Sequence, residues 1–249
     1  MATTTTGSGD VQVSDGTDRR SPRDGREQPV PDEVTRIVLR PIANPLPLGI
    51  LALATATLLL SGLELGWFPS REGTEVALAI VAVAAPLLLL AAVFGFLARD
   101  TLAATGLGLS GSTWLLLGLS KLIYAPVRTD HALGVFLLMA AVAVSVTALP
   151  AVTMKVVPAA VLLLTATRFL LTGLYELTGS GTVRHGSAIV GLILVVVAVY
   201  AALALELESA KRHTVLPVLR RGAAHEAVTG DLADQITRVE GEAGVREQL

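Results

Sequence analysis

The 249 residues are 52% hydrophobic and 16% charged, with a formal net charge of −2, and because soluble domains carry about 25% charged residues this composition indicates a membrane protein. The absence of cysteine excludes disulfides, thiolate metal sites and cysteine nucleophiles, and the four histidines lack the paired spacing of a metal site. We therefore expect no metal and no cofactor. No run of Lys and Arg suits a phosphate backbone, so we also expect no nucleic-acid partner.

The chain begins with a polar leader rich in Thr, Gly, Ser, Asp and Arg. It holds no apolar stretch able to offset the entropy of ordering, so we expect a disordered N-terminal tail over residues 1–40. The leader also lacks the basic and apolar regions of a secretory signal. We therefore expect it to remain in the mature protein.

The sequence Asn44-Pro45-Leu46-Pro47-Leu48-Gly49 stands where the leader gives way to the first apolar run. Both prolines lack a backbone N–H and suit the first turn of a helix. The Asn44 side chain can accept a hydrogen bond from an unpaired N–H of that turn. Gly49 leaves room for a neighbouring helix or a passing solute. The motif predicts a helix start, either an ordinary one at a membrane surface or part of a solute path.

Six apolar segments follow, each near the roughly 20 residues that cross a bilayer core. They cover about residues 47–67, 76–98, 101–120, 132–154, 156–178 and 186–205. Pro86 predicts a kink in the second segment. The sequence thus predicts an all-α polytopic membrane protein, with six transmembrane helices in a domain over residues 41–217.

The polar C-terminal tail, residues 218–249, allows two interpretations. Val228, Leu232, Ile236 and Val239 make one apolar stripe if the segment is helical, which favours a short amphipathic helix. The nearby Gly230 weakens that interpretation, and disorder is the alternative.

Basic residues near the segment ends predict the orientation. Six spans put both termini on one side. With the termini in the cytoplasm, eight of these basic residues lie on the inner side and four on the outer side. We therefore expect a multi-pass plasma membrane protein with both termini cytoplasmic.

The third segment carries two distinct helical faces. Thr101, Thr105, Gly108 and Ser112 share one face by their spacing. Four residues repeat every four positions and make a ridge of mostly small side chains, which predicts close helix packing: Gly106, Ser110, Trp114 and Gly118. The alternative interpretation is that the hydroxyl groups border a path for a small polar solute.

Arg168 lies inside the fifth segment, where an ionised side chain costs about 2.5 to 3.5 kcal/mol. Something must compensate this charge: a water-filled path, the carboxylate of Glu64 or of Glu176, or an anionic substrate. A structural pair between helices is the alternative to a role in transport. Thr165 and Thr172 share its face of the helix.

Over about residues 43–218 the chain resembles the acetate uptake transporter family, the bacterial succinate–acetate permeases and their fungal relatives. Residues 44–49 look like the family signature Asn-Pro-x-Pro-Leu-Gly, and residues 101–114 are similar to its Thr/Gly/Ser-rich third helix ending in Trp. Further similar stretches are Thr178-Gly179-Ser180, His185-Gly186, Gly191-Leu192, and Tyr200 with Thr214-Val215-Leu216-Pro217.

The resemblance implies a six-helix protomer, commonly in a ring of six, with a path for acetate or a small dicarboxylate in each protomer. Members are described as proton-coupled or channel-like. The family's apolar and aromatic constriction falls here on Leu53, Ser110 and Thr165. None of these is aromatic, so we expect a wider or wetter gate. Other candidates for lining the path or balancing an anion are Thr101, Thr105, Ser112, Trp114, Arg168 and Tyr200.

The first functional hypothesis is therefore a permease for acetate or another small carboxylate in a lipid bilayer, with protons as a possible second substrate. The alternatives are a channel or exporter for ammonia or another small solute, and a non-transporting protein that signals or assembles through its tails. An enzyme is the least favoured class, because the spans show no Asp pair, Ser/His pair or metal ligand set and hence no catalytic residues.

Overall fold

A computed structural model of the chain describes residues 42–124, 129–211 and 213–219. The predicted leader and nearly all of the predicted C-terminal tail, including its amphipathic stripe, lie outside these ranges. The described residues form six helices long and apolar enough to cross a membrane, which confirms the all-α prediction. The helices are α1 Leu46–Glu64, α2 Ser70–Leu97, α3 Thr101–Ile123, α4 His131–Ala151, α5 Val156–Thr178 and α6 Gly181–Lys211.

Each helix packs against the helices before and after it in the chain, and α6 packs against α1 to close the ring. The core between the helices consists mainly of alanine and leucine. Small side chains at these positions let the helices approach closely, as is usual where lipid rather than water surrounds a bundle.

The start of α1 follows the chemistry that its sequence predicts. Pro45 precedes the first helical residue and Pro47 lies in the first turn. The side-chain oxygen of Asn44 accepts a hydrogen bond from the backbone N–H of Leu46 at 3.1 Å. A Cβ on Gly49 would lie 2.7 Å from Cδ1 of Leu107 in α3, so this glycine makes room for a neighbouring helix.

Helix α2 is irregular near its proline. It begins earlier than predicted, with a short 3₁₀ turn at Ser70–Glu72, and contains a π-helical turn at Ile80–Ala84. The α-helix resumes at Ala85 with Pro86 in its first turn. Because proline cannot donate a hydrogen bond to the preceding turn, the backbone departs from regular α geometry just before it.

The two faces of α3 have different surroundings. Gly106, Ser110, Trp114 and Gly118 are buried. A Cβ on Gly106 would lie 2.8 Å from Leu162 of α5, and one on Gly118 would lie 2.8 Å from Val81 of α2. The predicted packing ridge is therefore confirmed. On the opposite face the side chain of Ser112 is exposed and donates to its own helix at the carbonyl of Gly108.

The turn between α5 and α6 is shorter than the sequence suggested. Gly179 adopts a left-handed conformation with φ of 66°, which ends α5, and α6 begins at Gly181. The predicted sixth segment begins near residue 186, because Thr182, Arg184 and His185 lower the hydropathy of the first turns of the helix. Residues 213–219 return to the bundle, where the carbonyl of Leu219 accepts from the N–H of Val156.

Candidate functional site

Two cavities lie at opposite ends of the seam where α1, α3 and α5 face one another. The first halves of these helices line the larger cavity, which has a volume of about 530 Å³. Their last turns line the smaller cavity, of about 70 Å³, together with the start of α2 and of α6. Because the same three helices line both cavities, the seam between them is the candidate path across the bundle.

The larger cavity has apolar walls and a charged rim. Leu53 and Leu107 are among its wall residues, and Thr101 and Arg99 also line it. At the rim, Nζ of Lys155 lies 3.1 Å from Oδ2 of Asp100, and the side chains of this pair are 29% and 32% exposed. Asp100 also caps α3, since its side chain accepts from the N–H of Ala103. The rim therefore presents charge to solvent while the interior is apolar.

Of the predicted constriction residues, Ser110 and Thr165 lie in the buried stretch between the two cavities, and Leu53 lies in the wall of the larger one. Leu53, Ser110 and Thr165 are all at most 1% exposed. The Ser110 hydroxyl donates to the carbonyl of Gly106 and the Thr165 hydroxyl to that of Val161, each at 2.7 Å. Both hydroxyl protons are thus occupied within their own helices, so these hydroxyls do not supply donors to a wet gate in this state.

An aromatic pair lies one helical turn beyond the predicted constriction. Trp114 follows Ser110 by four residues and Phe169 follows Thr165 by four. The two rings pack edge to face with centroids 5.9 Å apart, and both side chains are 1% exposed. Trp114 is among the residues that the sequence predicts, whereas Phe169 is not. The barrier between the cavities is therefore partly aromatic, although the three predicted positions are not.

The buried Arg168 is paired with Glu64, across from α5 to α1. Nη1 of Arg168 lies 2.7 Å from Oε2 of Glu64, and the side chains are 0% and 7% exposed. The same Nη1 donates to Oγ of Ser187 in α6 at 2.7 Å. The hydroxyl of Thr172 lies 2.9 Å from Oγ of Ser187. Of the groups that the sequence offers to balance the charge of Arg168, Glu64 is therefore the one that contacts it.

Gly191 explains how α6 reaches this pair. A Cβ at this position would collide with Oγ of Ser61 and would lie 3.3 Å from Cζ of Arg168. A side chain at this position would force Ser61 and the guanidinium of Arg168 to shift. Among the described residues, Nε and Nη2 of Arg168 and Oγ of Ser61 have no hydrogen-bond partner although they are buried.

A second buried ion pair lines the small cavity beside Glu64. Nζ of Lys121 in α3 lies 2.6 Å from Oε1 of Glu176 in α5. The backbone N–H of Asp130 donates to Oε2 of Glu176 at 2.8 Å. Arg184 at the start of α6 lines the same cavity. The small cavity is therefore bounded by charged groups from four helices.

The remaining sequence candidates lie away from these cavities. Thr105, Ser112 and Tyr200 line neither of the two. Tyr200 instead donates to the carbonyl of Pro217 at 3.1 Å, which ties α6 to the returning C-terminal segment. In the ranges that the structure describes, no group of three or more His, Asp or Glu side chains could hold a metal ion.

Comparison with known proteins gives two matches relevant to this arrangement. The sequence model of the GPR1/FUN34/yaaH family matches residues 26–220. Among solved structures, one titled "Structure of the bacterial acetate channel SatP" is 24% identical with a TM-score of 0.63, covering 71% of this chain and 98% of that chain. At this identity the likeness shows the fold. No curated protein matches significantly.

Proposed function

Because the chain belongs to the GPR1/FUN34/yaaH family, we propose that it is a membrane permease for acetate or another small carboxylate, coupled to protons. The observation that carries the proposal is the seam between α1, α3 and α5, with a cavity at each end and a buried barrier between them. The acetate channel with the same fold supports acetate as the first solute to test.

The charges at the two ends favour an anion over a cation. In and behind the small cavity lie three basic residues and two acidic ones. The basic residues are Lys121, Arg168 and Arg184, and the acidic residues are Glu64 and Glu176. Among the described residues that line the larger cavity, two are basic, Arg99 and Lys155, and one is acidic, Asp100. A surplus of positive charge at each mouth raises the local concentration of anions.

The barrier explains how such a path rejects other solutes. Trp114 and Phe169 present apolar surface between the cavities, and Leu53 does so at the wall of the larger one. A large or strongly hydrated solute therefore loses its water there without replacement. A small carboxylate exposes one charged end and one apolar end. We infer that the described state is closed, and that passage requires the aromatic pair to separate.

A neutral solute such as ammonia is the second candidate. The observation in its favour is the same barrier, because two rings and two internally bonded hydroxyls suit a solute that carries no charge. Competition separates the candidates. If the protein carries carboxylates, unlabelled carboxylates reduce the uptake of labelled acetate. If it carries ammonia, protein-dependent uptake of labelled methylammonium is reduced by ammonium salts and not by carboxylates.

We also propose a homo-oligomer in the plasma membrane with both termini cytoplasmic. The small and hydroxyl residues on the outward face of α3 suit close packing against another copy. The orientation is testable because the chain has no cysteine. An impermeant thiol reagent applied to whole cells is expected to label a Thr74→Cys protein and not a Thr153→Cys protein, since these exposed sites lie at opposite ends of the bundle. The reverse pattern would overturn the orientation.

Uptake of labelled acetate into proteoliposomes tests the proposed function. Acetic acid crosses lipid unaided, so the quantity to measure is the initial rate above that of protein-free vesicles. The proposal predicts a saturable, protein-dependent rate that rises with an inward proton gradient and falls with unlabelled carboxylate. Monodisperse protein that gives no rate above the protein-free control contradicts it.

A further inference from the structure

Glu64 stands between the small cavity and Arg168. Its side chain lines the cavity, whereas Arg168, 0% exposed, is not among the lining residues and contacts Glu64 from behind. A solute that enters this cavity therefore meets the carboxylate before it can reach the guanidinium. The next residue after Arg168 is Phe169 of the aromatic barrier. The pair thus lies at the point where the cavity ends and the barrier begins.

Arg168 has more donors than its partners use. A guanidinium carries five N–H donors, and the contacts with Glu64 and Ser187 both involve Nη1. Nε and Nη2 have no hydrogen-bond partner in the described ranges, although both atoms are buried. Unsatisfied buried donors call for an explanation such as a bound ligand or water. The geometry therefore leaves Arg168 able to bind a further carboxylate.

Glu176 is held differently from Glu64. Glu176 has partners for both carboxylate oxygens, with Lys121 on one side and the backbone of Asp130 on the other. The groups that face Glu64 are Arg168 and Glu176 from α5, Arg184 from α6 and Lys121 from α3. Three of these four are basic, so an anion that replaces the charge of Glu64 enters a favourable field.

We propose, resting on the carboxylate permease function above, that the Glu64–Arg168 pair is the site where proton and substrate binding are coupled. A proton binds a carboxylate oxygen of Glu64, and the carboxylate of the substrate takes the place of Glu64 on Arg168. Without that anion, a protonated Glu64 would leave a buried guanidinium without its carboxylate partner, which is strongly unfavourable. Binding of each ligand therefore favours binding of the other.

The charge balance of this step fixes the stoichiometry. One proton adds one positive charge and one substrate carboxylate adds one negative charge, so the total charge of the buried cluster stays unchanged. On release at the other side, the substrate leaves Arg168, the proton leaves Glu64, and the original pair forms again. The coupling site therefore moves one proton with one carboxylate and no net charge.

Proton uptake by the wild-type protein in detergent tests the coupling directly. Acetate is added to unbuffered protein at pH 7, and a pH indicator reports protons taken from solution. The proposal predicts one proton taken up for each acetate bound. Acetate binding that saturates with no proton uptake overturns it, whereas wild-type protein that neither binds nor transports acetate overturns the proposed function itself.

The Glu64→Gln variant tests the same site in proteoliposomes. Glutamine cannot bind the proton, so the substrate should cross as a bare anion. A potential of about 60 mV, positive inside, changes the equilibrium accumulation of a monovalent anion about tenfold. We expect this potential, set with K⁺ and valinomycin, to accelerate acetate uptake in the variant and not in the wild type. The proton gradient should accelerate only the wild type.

The control is Glu75→Gln, an exposed carboxylate on α2 that should behave as wild type. A Glu64→Gln protein that keeps the wild-type response to the proton gradient overturns the proposal, and so does a folded one that no longer binds acetate. If this variant does not fold, Glu64→Asp keeps a titratable group and should keep proton uptake on acetate binding. Loss of that uptake in a folded Glu64→Asp protein that still binds acetate also overturns it.

Discussion

The two ends of the seam between α1, α3 and α5 differ in how they hold charge. The wide end, at the larger cavity, carries one ion pair, Lys155 with Asp100, whose side chains are about a third exposed. The narrow end, at the smaller cavity, carries two ion pairs that are buried among four helices. Exposed pairs contribute about 0–1 kcal/mol, whereas removing one partner of a buried pair costs about 3–5 kcal/mol. The narrow end is therefore where charge is coupled to the stability of the protein and, by our proposal, to transport.

The largest expected effect comes from Arg168→Ala at the narrow end. The change leaves the carboxylate of Glu64 buried without its partner, so we expect a loss of about 3–5 kcal/mol in the free energy of unfolding. Thermal unfolding in detergent measures it. The double variant Arg168→Ala with Glu64→Ala removes both charges and should recover part of the loss. A single variant as stable as the wild type would remove the distinction between the two ends.

Gly191→Ala sharpens the comparison without changing any charge. The added Cβ collides with Ser61 and crowds the guanidinium of Arg168, and overpacking of this kind costs about 1–3 kcal/mol. Gly186→Ala, in the same helix, is the matched control because a Cβ there meets no atom within 4 Å. Denaturation of both variants side by side checks the expectation, and equal stabilities would show that α6 does not need this close approach.

Phe169→Leu tests the barrier that separates the two ends. Leucine keeps apolar surface but removes the edge-to-face contact with Trp114, a pair worth about 0.5–1.5 kcal/mol. We expect a modest loss of stability and a faster protein-dependent acetate flux, because the closed state is weakened. Phe94→Leu, at an exposed position of α2, is the control and should leave the flux unchanged. An unchanged flux in both variants would place the barrier elsewhere.

The smallest effect is expected from Lys155→Ala at the wide end. The pair with Asp100 is partly exposed, so its loss should lower the free energy of unfolding by about 0–1 kcal/mol. The variant is measured beside Arg168→Ala in the same detergent. A loss of unfolding free energy as large as that of Arg168→Ala would mean that the ion pair at the wide end stabilises the protein as strongly as the pair at the narrow end.

The features that sequence predicted correctly are local ones. The six helices follow from runs of apolar residues, and the start of α1 follows from the chemistry of Asn44 and two prolines. The ridge from Gly106 to Gly118 follows from a four-residue spacing along one helix. Each of these depends on neighbours in the chain, so a single sequence carries the information.

The features that sequence left open join distant parts of the chain. Arg168 needed a compensating group, and its spacing from Glu176 along α5 argued against that pair, but the choice between Glu64, water and the substrate stayed open until the helices were placed. The ring contact between Trp114 and Phe169 also depends on how α3 faces α5. One signal was present, since each of the two aromatics follows a predicted constriction position by four residues. Without knowing which faces meet, that offset could not be recognised.

The central claim is that the solute crosses the protein along this seam. The most direct test uses Leu53→Cys, which places the only thiol of the chain at a wall of the larger cavity. A small thiol reagent is expected to block acetate uptake by this variant, and excess acetate should slow the block. Val146→Cys, at an exposed position of α4, is the control and should keep its uptake. Complete labelling of the Leu53→Cys protein with uptake unchanged would contradict the account.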